Sequence, residues 1–182
     1  MTELRITAGD FKNRKLESLP GKSLRPLSGR IKESLFSIIS ARVPGSLFLD
    51  LFAGTGNVSF EALSRGASRA VMVEKDPRSL GLIYRNADKL GLRDRIEVYE
   101  SDVFGFYPSG ISPDIIFAGP PYRGNLSSGI LRHCLEAGIA SEDNLVVIQH
   151  HRKEDVDNSG YRKIDSRVYG ITALDFFVKD TA

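Results

Sequence analysis

The 182-residue sequence predicts an α/β fold: a mostly parallel, seven-stranded sheet closed by a C-terminal antiparallel hairpin, with a basic N-terminal extension. Three observations predict it. From residue 46 onward, short apolar β-rich runs alternate with stretches of helical spacing, the pattern of βαβ units. The last two β-rich segments, YRKIDSRVYG and ITALDFFVKD, are separated by little more than Tyr169-Gly170-Ile171. That suits a tight antiparallel turn and is too short for a parallel crossover. The charge balance also divides the chain. Residues 1–45 hold 9 Lys+Arg and 4 Asp+Glu, the remainder 16 and 19, so a net charge of +2 hides a +5 arm on a −3 body. Such asymmetry points to a polyanionic partner for the arm.

In the arm, LRITAG and FKNRKLE read as a short β piece, followed by a turn at Pro20-Gly21. A helix is expected over about 28–40, capped by Ser28. Its apolar face is Ile31, Leu35, Ile38 and Ile39, with Arg30 and Lys32 exposed elsewhere. SLFLDLF at 46–52 is the first strand of the body, stopping at Gly54. Residues 57–65 have amphipathic spacing and end at Gly66, and AVMVE at 70–74 is the second strand. Pro77 opens a helix bearing Leu80, Ile83, Tyr84, Ala87 and Leu90, which ends at Gly91. RIEVYE at 95–100, DIIFA at 114–118 and LVVIQ at 145–149 are further strands, with a helix from Leu126 to Ile139 before the last of them. Tyr84, Phe104, Phe106 and Cys134 fall within apolar patterns and are expected in the core. The division is a basic extension over 1–45 and one ligand-binding domain over 46–182.

Composition sets limits on function. With 41% hydrophobic and 26% charged residues the chain is an ordinary globular protein. It has no apolar run of bilayer-spanning length and no apolar signal segment at MTELRITAGDFK, so a cytoplasmic location is expected. One cysteine excludes an internal disulfide and a Cys-rich zinc site. His150 and His151 are neighbours on a strand, facing opposite sides, so no metal site is expected of them.

The chemistry concentrates in DLFAGTGNVSFEALSRGA, residues 50–67. A strand runs into Gly54-Thr55-Gly56 and a helix starts at Asn57, which brings backbone N–H groups close to a ligand. A dinucleotide fingerprint fails, because Ser59 stands where the third glycine is required. Asp50 would repel a pyrophosphate but suits a ligand amine, and Glu74, closing the second strand, suits a pair of ribose hydroxyls. An amino-acid tail joined to an adenosine is S-adenosylmethionine. Asp102, after the third strand, is placed to accept the adenine amine, or to cap the segment that follows it. Gly119-Pro120-Pro121-Tyr122 then supplies a rigid turn and an aromatic ring able to stack on a base.

In these motifs the chain resembles the Rossmann-like S-adenosylmethionine-dependent methyltransferases. More closely it resembles the bacterial 16S rRNA guanine-N2 methyltransferases (the RsmD-like family). RITAGDFKNRKL, LRPLSGRIKESLFSII, DLFAGTGNVSFEALSRGA, VEKD, GPPY and VVIQHH carry the likeness nearly end to end. The resemblance implies cofactor binding by Asp50, Phe52, Gly54, Gly56, Asn57, Glu74, Lys75, Asp102 and Val103. It implies a target amine held at Gly119, Pro120, Pro121 and Tyr122. It also implies that Arg5, Lys12, Arg14, Lys15, Arg25 and Arg30 grip the phosphates of 16S rRNA or the small ribosomal subunit, with the protein acting as a monomer.

One departure stands out. The family's tetrapeptide begins with Asp or Asn, and this chain has Gly119. Losing an acceptor worth about 1.5–3 kcal/mol slows methyl transfer roughly 10- to 100-fold unless another group substitutes. Two alternatives follow: a non-catalytic protein that binds cofactor and RNA, and an amine methyltransferase acting on DNA or a protein glutamine. The loop from Arg123 and Gly124 to residue 130 is a candidate lid.

Overall fold

The computed structural model describes residues 4–19, 27–122, 125–158 and 160–181. Five parallel strands, β1 (Leu47–Asp50), β2 (Arg69–Glu74), β3 (Ile96–Glu100), β4 (Ile115–Ala118) and β5 (Leu145–His151), are joined by the antiparallel β6 (Tyr161–Tyr169) and β7 (Thr172–Lys179). The sheet order is β3-β2-β1-β4-β5-β7-β6. Among the described residues four α-helices pack on it: α1 (Gly29–Ile38), α2 (Asn57–Ser64), α3 (Pro77–Leu90) and α4 (Ser127–Glu136). The fold class is the one the alternation and the closing hairpin predict. No described helix is long and apolar enough to cross a membrane.

β1, β2, β4 and β5 are central, so both their faces must be apolar, and their residues divide by the two-residue period of a strand. Phe48, Ala70, Met72, Ile115, Phe117 and Val147 face one core with α2, α3 and the arm. Leu49, Val71, Val73, Ile116, Val146 and Ile148 face the other, with Ile130, Leu131 and Cys134 of α4. Signals at the helix ends act as the sequence implies. Ser28 Oγ accepts from Ile31 N–H, Asp76 caps α3 with Pro77 at its first position, and Gly91 ends it in the left-handed conformation.

The arm, however, is not a loose basic flap. A single antiparallel bridge, Arg5 with Lys15, sets Leu4, Ile6 and Leu16 into the first core alongside Leu27, Leu35 and Phe36. Gly9 has φ +81 and lies so close to α2 that a Cβ there would stand 1.8 Å from the Ser64 carbonyl oxygen. Glycine is required for that approach.

Several expectations are corrected. Lys32 is not exposed: it is 1% accessible, on the face of α1 that docks. Ile38 is instead exposed, because the docked face of α1 runs through Lys32, Leu35, Phe36 and Ile39 and leaves Ile38 at its edge. The spacing of α2 suggests one polar face, yet all eight of its residues are buried, since the arm covers the side away from the sheet. Tyr84 and Phe104 sit at the surface rather than in the core. Tyr84 lies under the Arg93 guanidinium at 4.0 Å, and Phe104 meets His133 edge-on. Phe106 and Cys134 are buried as expected, and burial pushes the Cys134 thiol up to about 12, so it is unreactive. The Pro20-Gly21 turn and Arg25 lie outside the described residues.

Lys32 is buried because Glu61 of α2 is buried opposite it, Nζ to Oε2 being 2.9 Å. The ammonium also donates to the Arg5 carbonyl at 2.7 Å and to Asn57 Oδ1 at 2.9 Å. Glu61 further accepts from Thr7 N–H, Thr7 Oγ1, Ala8 N–H and Arg65 Nε. Burial opposes the charge on Glu61, but Lys32 and Thr7 outweigh it and hold the carboxyl below its ordinary value. Replacing one member strands the other charge. Glu61→Gln or Lys32→Met should each cost about 3–5 kcal/mol, and the pair together less than the sum of the two. Urea unfolding measures this, and single variants with unchanged midpoints would contradict the ion pair.

Candidate active site

The carboxyl ends of β1, β2, β4 and β5 open into one cleft of about 850 Å³. Open parallel sheets bind ligands there because loops and helix N-termini converge where the strand order reverses. Asp50, Phe52, Gly54, Asn57, Glu74, Lys75, Asp102 and Val103 line it, with Gly119, Pro120, Pro121 and Tyr122 on the same cavity. Of the cofactor residues read from sequence, Gly56 alone is not in the lining. Its φ of +81 serves the turn, and a Cβ there would stand 2.4 Å from the Phe60 ring.

Asp50 ends β1 and is fully buried, with Ser59 Oγ donating at 2.8 Å and Phe52 N–H at 3.4 Å. Among the described residues no cation pairs with it. Burial therefore pushes its carboxyl up to about 7. A buried carboxylate facing a cleft without a countercharge fits a ligand that brings its own ammonium.

Glu74 ends β2 and pins the glycine loop. Its Oε2 accepts from Gly54 N–H at 2.7 Å, while Oε1 accepts from the N–H groups of Lys75 and Asp76, each at 2.8 Å. The Oε2 oxygen, with one donor, keeps an acceptor site for a ligand hydroxyl. Asp102 does cap its segment, accepting from Phe104 N–H, and also pairs with Lys75 at 2.8 Å. Lys75 lowers the Asp102 carboxyl in turn. This exposed pair bridges the ends of β2 and β3 at the rim of the cleft. Asn57 faces the cleft from the first turn of α2, but its amide is held by Lys32 and the Leu27 carbonyl.

Gly119 follows β4 and Gln149 lies on β5. The parallel register pairs Ala118 with Ile148, so the next positions stand side by side. Tyr122 is fixed by its hydroxyl, which contacts Thr172 Oγ1 at 2.6 Å and accepts from Gln149 Nε2 at 3.3 Å. His151 packs edge-on to the Tyr122 ring. His150, on the opposite face, contacts buried Asp175 at 3.2 Å, and no metal-binding group occurs among the described residues. Sequence reasoning missed Gln149, Ser59 and the Lys32–Glu61–Asn57 network. Only Gln149 had a visible signal, a polar residue interrupting the apolar run LVVI. In the arm, Arg5, Lys12, Arg14, Lys15 and Arg30 are exposed. The candidate lid residues Arg123 and Gly124 lie outside the described residues.

A family model described as "Conserved hypothetical protein 95" matches residues 4–178. The chain belongs to that family. It is the family of the RsmD-like proteins, as the motifs in the arm and the glycine loop imply. The ribosomal RNA small subunit methyltransferase D of Haemophilus influenzae is 30% identical over 151 residues, 81% of this chain and 78% of that one. The fold superposes on yhhF of Escherichia coli with a TM-score of 0.86 at 26% identity, covering 100% of both chains. It also superposes on an RNA methyltransferase of Salinibacter ruber solved with S-adenosyl-L-homocysteine, at a TM-score of 0.70 and 16% identity, over 87% of this chain and 95% of that one. The fold is that of the Rossmann-like methyltransferases.

The state of Asp50 is testable without ligand. A carboxyl whose folded value lies above its unfolded value contributes stability below about pH 4, and that contribution is lost as pH rises to about 7. Asp50→Asn should therefore raise Tm by roughly 4–10 °C at pH 8 and by less at pH 5. An equal gain at both pH values would show that burial does not strain this carboxylate.

Proposed function

We propose that the protein transfers a methyl group from S-adenosylmethionine to the N2 amine of a guanine in 16S rRNA, acting as a monomer on the RNA or on the small subunit. The observation that carries this reading is the buried, uncompensated Asp50 in the same cleft as Glu74 and the Gly119–Tyr122 turn. When bound, the cofactor supplies an electrophilic methyl group. Asp50 would hold its ammonium, Glu74 a ribose hydroxyl and Asp102 the adenine amine. Phe52, Gly54, Val103 and Lys75 would form the walls, while Gly56 and Asn57 would shape the loop. The names of the relatives support rRNA as the substrate class, and the basic arm supports it independently.

The chain's own residues would do the rest. A looped-out guanine would stack on the Tyr122 ring, which its hydroxyl contacts already hold in place. The Pro120 carbonyl would take one hydrogen of the target amine, orienting the nitrogen for in-line attack. Lys12, Arg14 and Arg30, with Arg5 and Lys15, would bind phosphates without reading sequence, and Arg25 is assigned with them from the sequence alone.

Incubation with methyl-labelled S-adenosylmethionine and 16S rRNA or small subunits, followed by nucleoside digestion, should yield N2-methylguanosine. Lys12→Ala with Arg14→Ala should weaken RNA binding and flatten its salt dependence by about one to two counter-ions. Label in another nucleoside would overturn the target. Tight cofactor binding with no incorporation at high protein concentration would favour the non-catalytic alternative that Gly119 raises.

A further inference from the structure

We propose that Gln149 supplies the hydrogen-bond acceptor that Gly119 lacks, its Oε1 receiving one N–H of the target amine. This rests on the methyltransferase reading above and extends it to a residue on a different strand. The observation is spatial. A Cβ built on Gly119 would stand 3.2 Å from Gln149 Oε1 and 3.2 Å from the Phe117 ring. The amide oxygen of β5 thus occupies the space into which a side chain at 119 would extend.

The orientation of that amide is set by its other end. Gln149 Nε2 donates to the Tyr122 hydroxyl, which also shares a hydrogen bond with Thr172 Oγ1. With Nε2 engaged, Oε1 is turned toward Gly119 and the cleft wall. Gln149 is 8% exposed, so the acceptor is shielded from bulk water and its dipole is preorganised. The same contacts tie the residue that would stack the base to the residue that would orient its amine.

The chemistry needs such a group. In the transfer, the nitrogen lone pair forms the N–C bond as the C–S bond breaks and its electrons pass to sulfur. Positive charge moves from sulfur to nitrogen, which then loses one proton to water. Two acceptors, the Pro120 carbonyl and Gln149 Oε1, would take the two N–H bonds, leave the lone pair facing the methyl group and stabilise the charge that develops. A neutral amide suffices, because the proton is not removed in the bond-forming step. Gly119 is then no longer a lesion: a side chain there and Gln149 compete for one space.

The test compares wild type with Gln149→Ala, Gln149→Glu, Gly119→Asn and the double variant Gly119→Asn/Gln149→Ala. Methyl transfer to small subunits is measured beside S-adenosylhomocysteine affinity and the relative binding of guanosine and inosine monophosphate to the S-adenosylhomocysteine-loaded protein. Gln149→Ala should lower kcat roughly 10- to 100-fold and leave S-adenosylhomocysteine affinity within about twofold. It should also erase the preference for guanosine over inosine monophosphate, which lacks the amine. Gln149→Glu should retain most of the rate and the preference. Gly119→Asn alone should give no acceleration, because it crowds Gln149 and Phe117, whereas the double variant should exceed Gln149→Ala. Unchanged kcat and unchanged nucleotide preference in Gln149→Ala would overturn the assignment, as would a faster Gly119→Asn enzyme. If Gln149→Ala fails to fold, Gln149→Leu against Gln149→Glu makes the same comparison. Wild-type protein that binds cofactor and transfers no methyl group would instead overturn the proposed function.

Discussion

A carboxylate taken fully out of water costs several kcal/mol unless donors replace the lost hydration. Glu61 meets that demand with five: two backbone N–H groups, the Thr7 hydroxyl, the Lys32 ammonium and the Arg65 guanidinium. Four of the five come from the arm, three of those from its strand-like start, and the fifth, Arg65, directly follows α2. The helix that carries Glu61 begins at the glycine loop, and its first residue, Asn57, shares the same ammonium. The loop, the helix and the arm therefore cannot take up their positions independently. In this arrangement the charged centre that fixes the basic surface also fixes the floor of the cleft.

That joint placement gives the charge asymmetry its meaning. The arm exposes most of its cations to solvent while sending one inward, and the body gathers carboxylates at the ends of β1 and β2. Asp50 is kept without a cation among the described residues and Glu74 is spent largely on the loop. The first is strained and waiting for a charge, and the second is structural with one acceptor site to spare. A cleft built from both accommodates a ligand that is cationic at one end and hydroxyl-bearing at the other.

The sequence shows the strands clearly because central parallel strands are continuous apolar runs, and the closing hairpin because its connection is too short for anything else. Asp50, Glu74 and the glycine loop are legible for a related reason: each sits where a strand must end. Lys32 was not legible. A lysine in a helical stripe reads as solvent-facing, and its partner Glu61 lies on another helix with no local pattern to connect them. The eight buried residues of α2 escaped for the same cause, since the arm that covers them is distant in the chain. Gln149 was visible only as a polar break in an apolar strand. Its position beside Gly119 follows from the β4–β5 register, which depends on the whole sheet.

If the Glu61 centre makes arm and cleft a single cooperative unit, their backbone amides must open together. Native-state hydrogen exchange tests this at Ile6, Thr7, Ala8 and Leu16 in the arm against Leu51 at the end of β1, whose N–H is bonded to the Phe117 carbonyl. Equal opening free energies, matching global unfolding by urea, are the expected result. Arm amides exchanging through a local opening several kcal/mol below that of Leu51 would contradict it, and would make the arm a detachable extension.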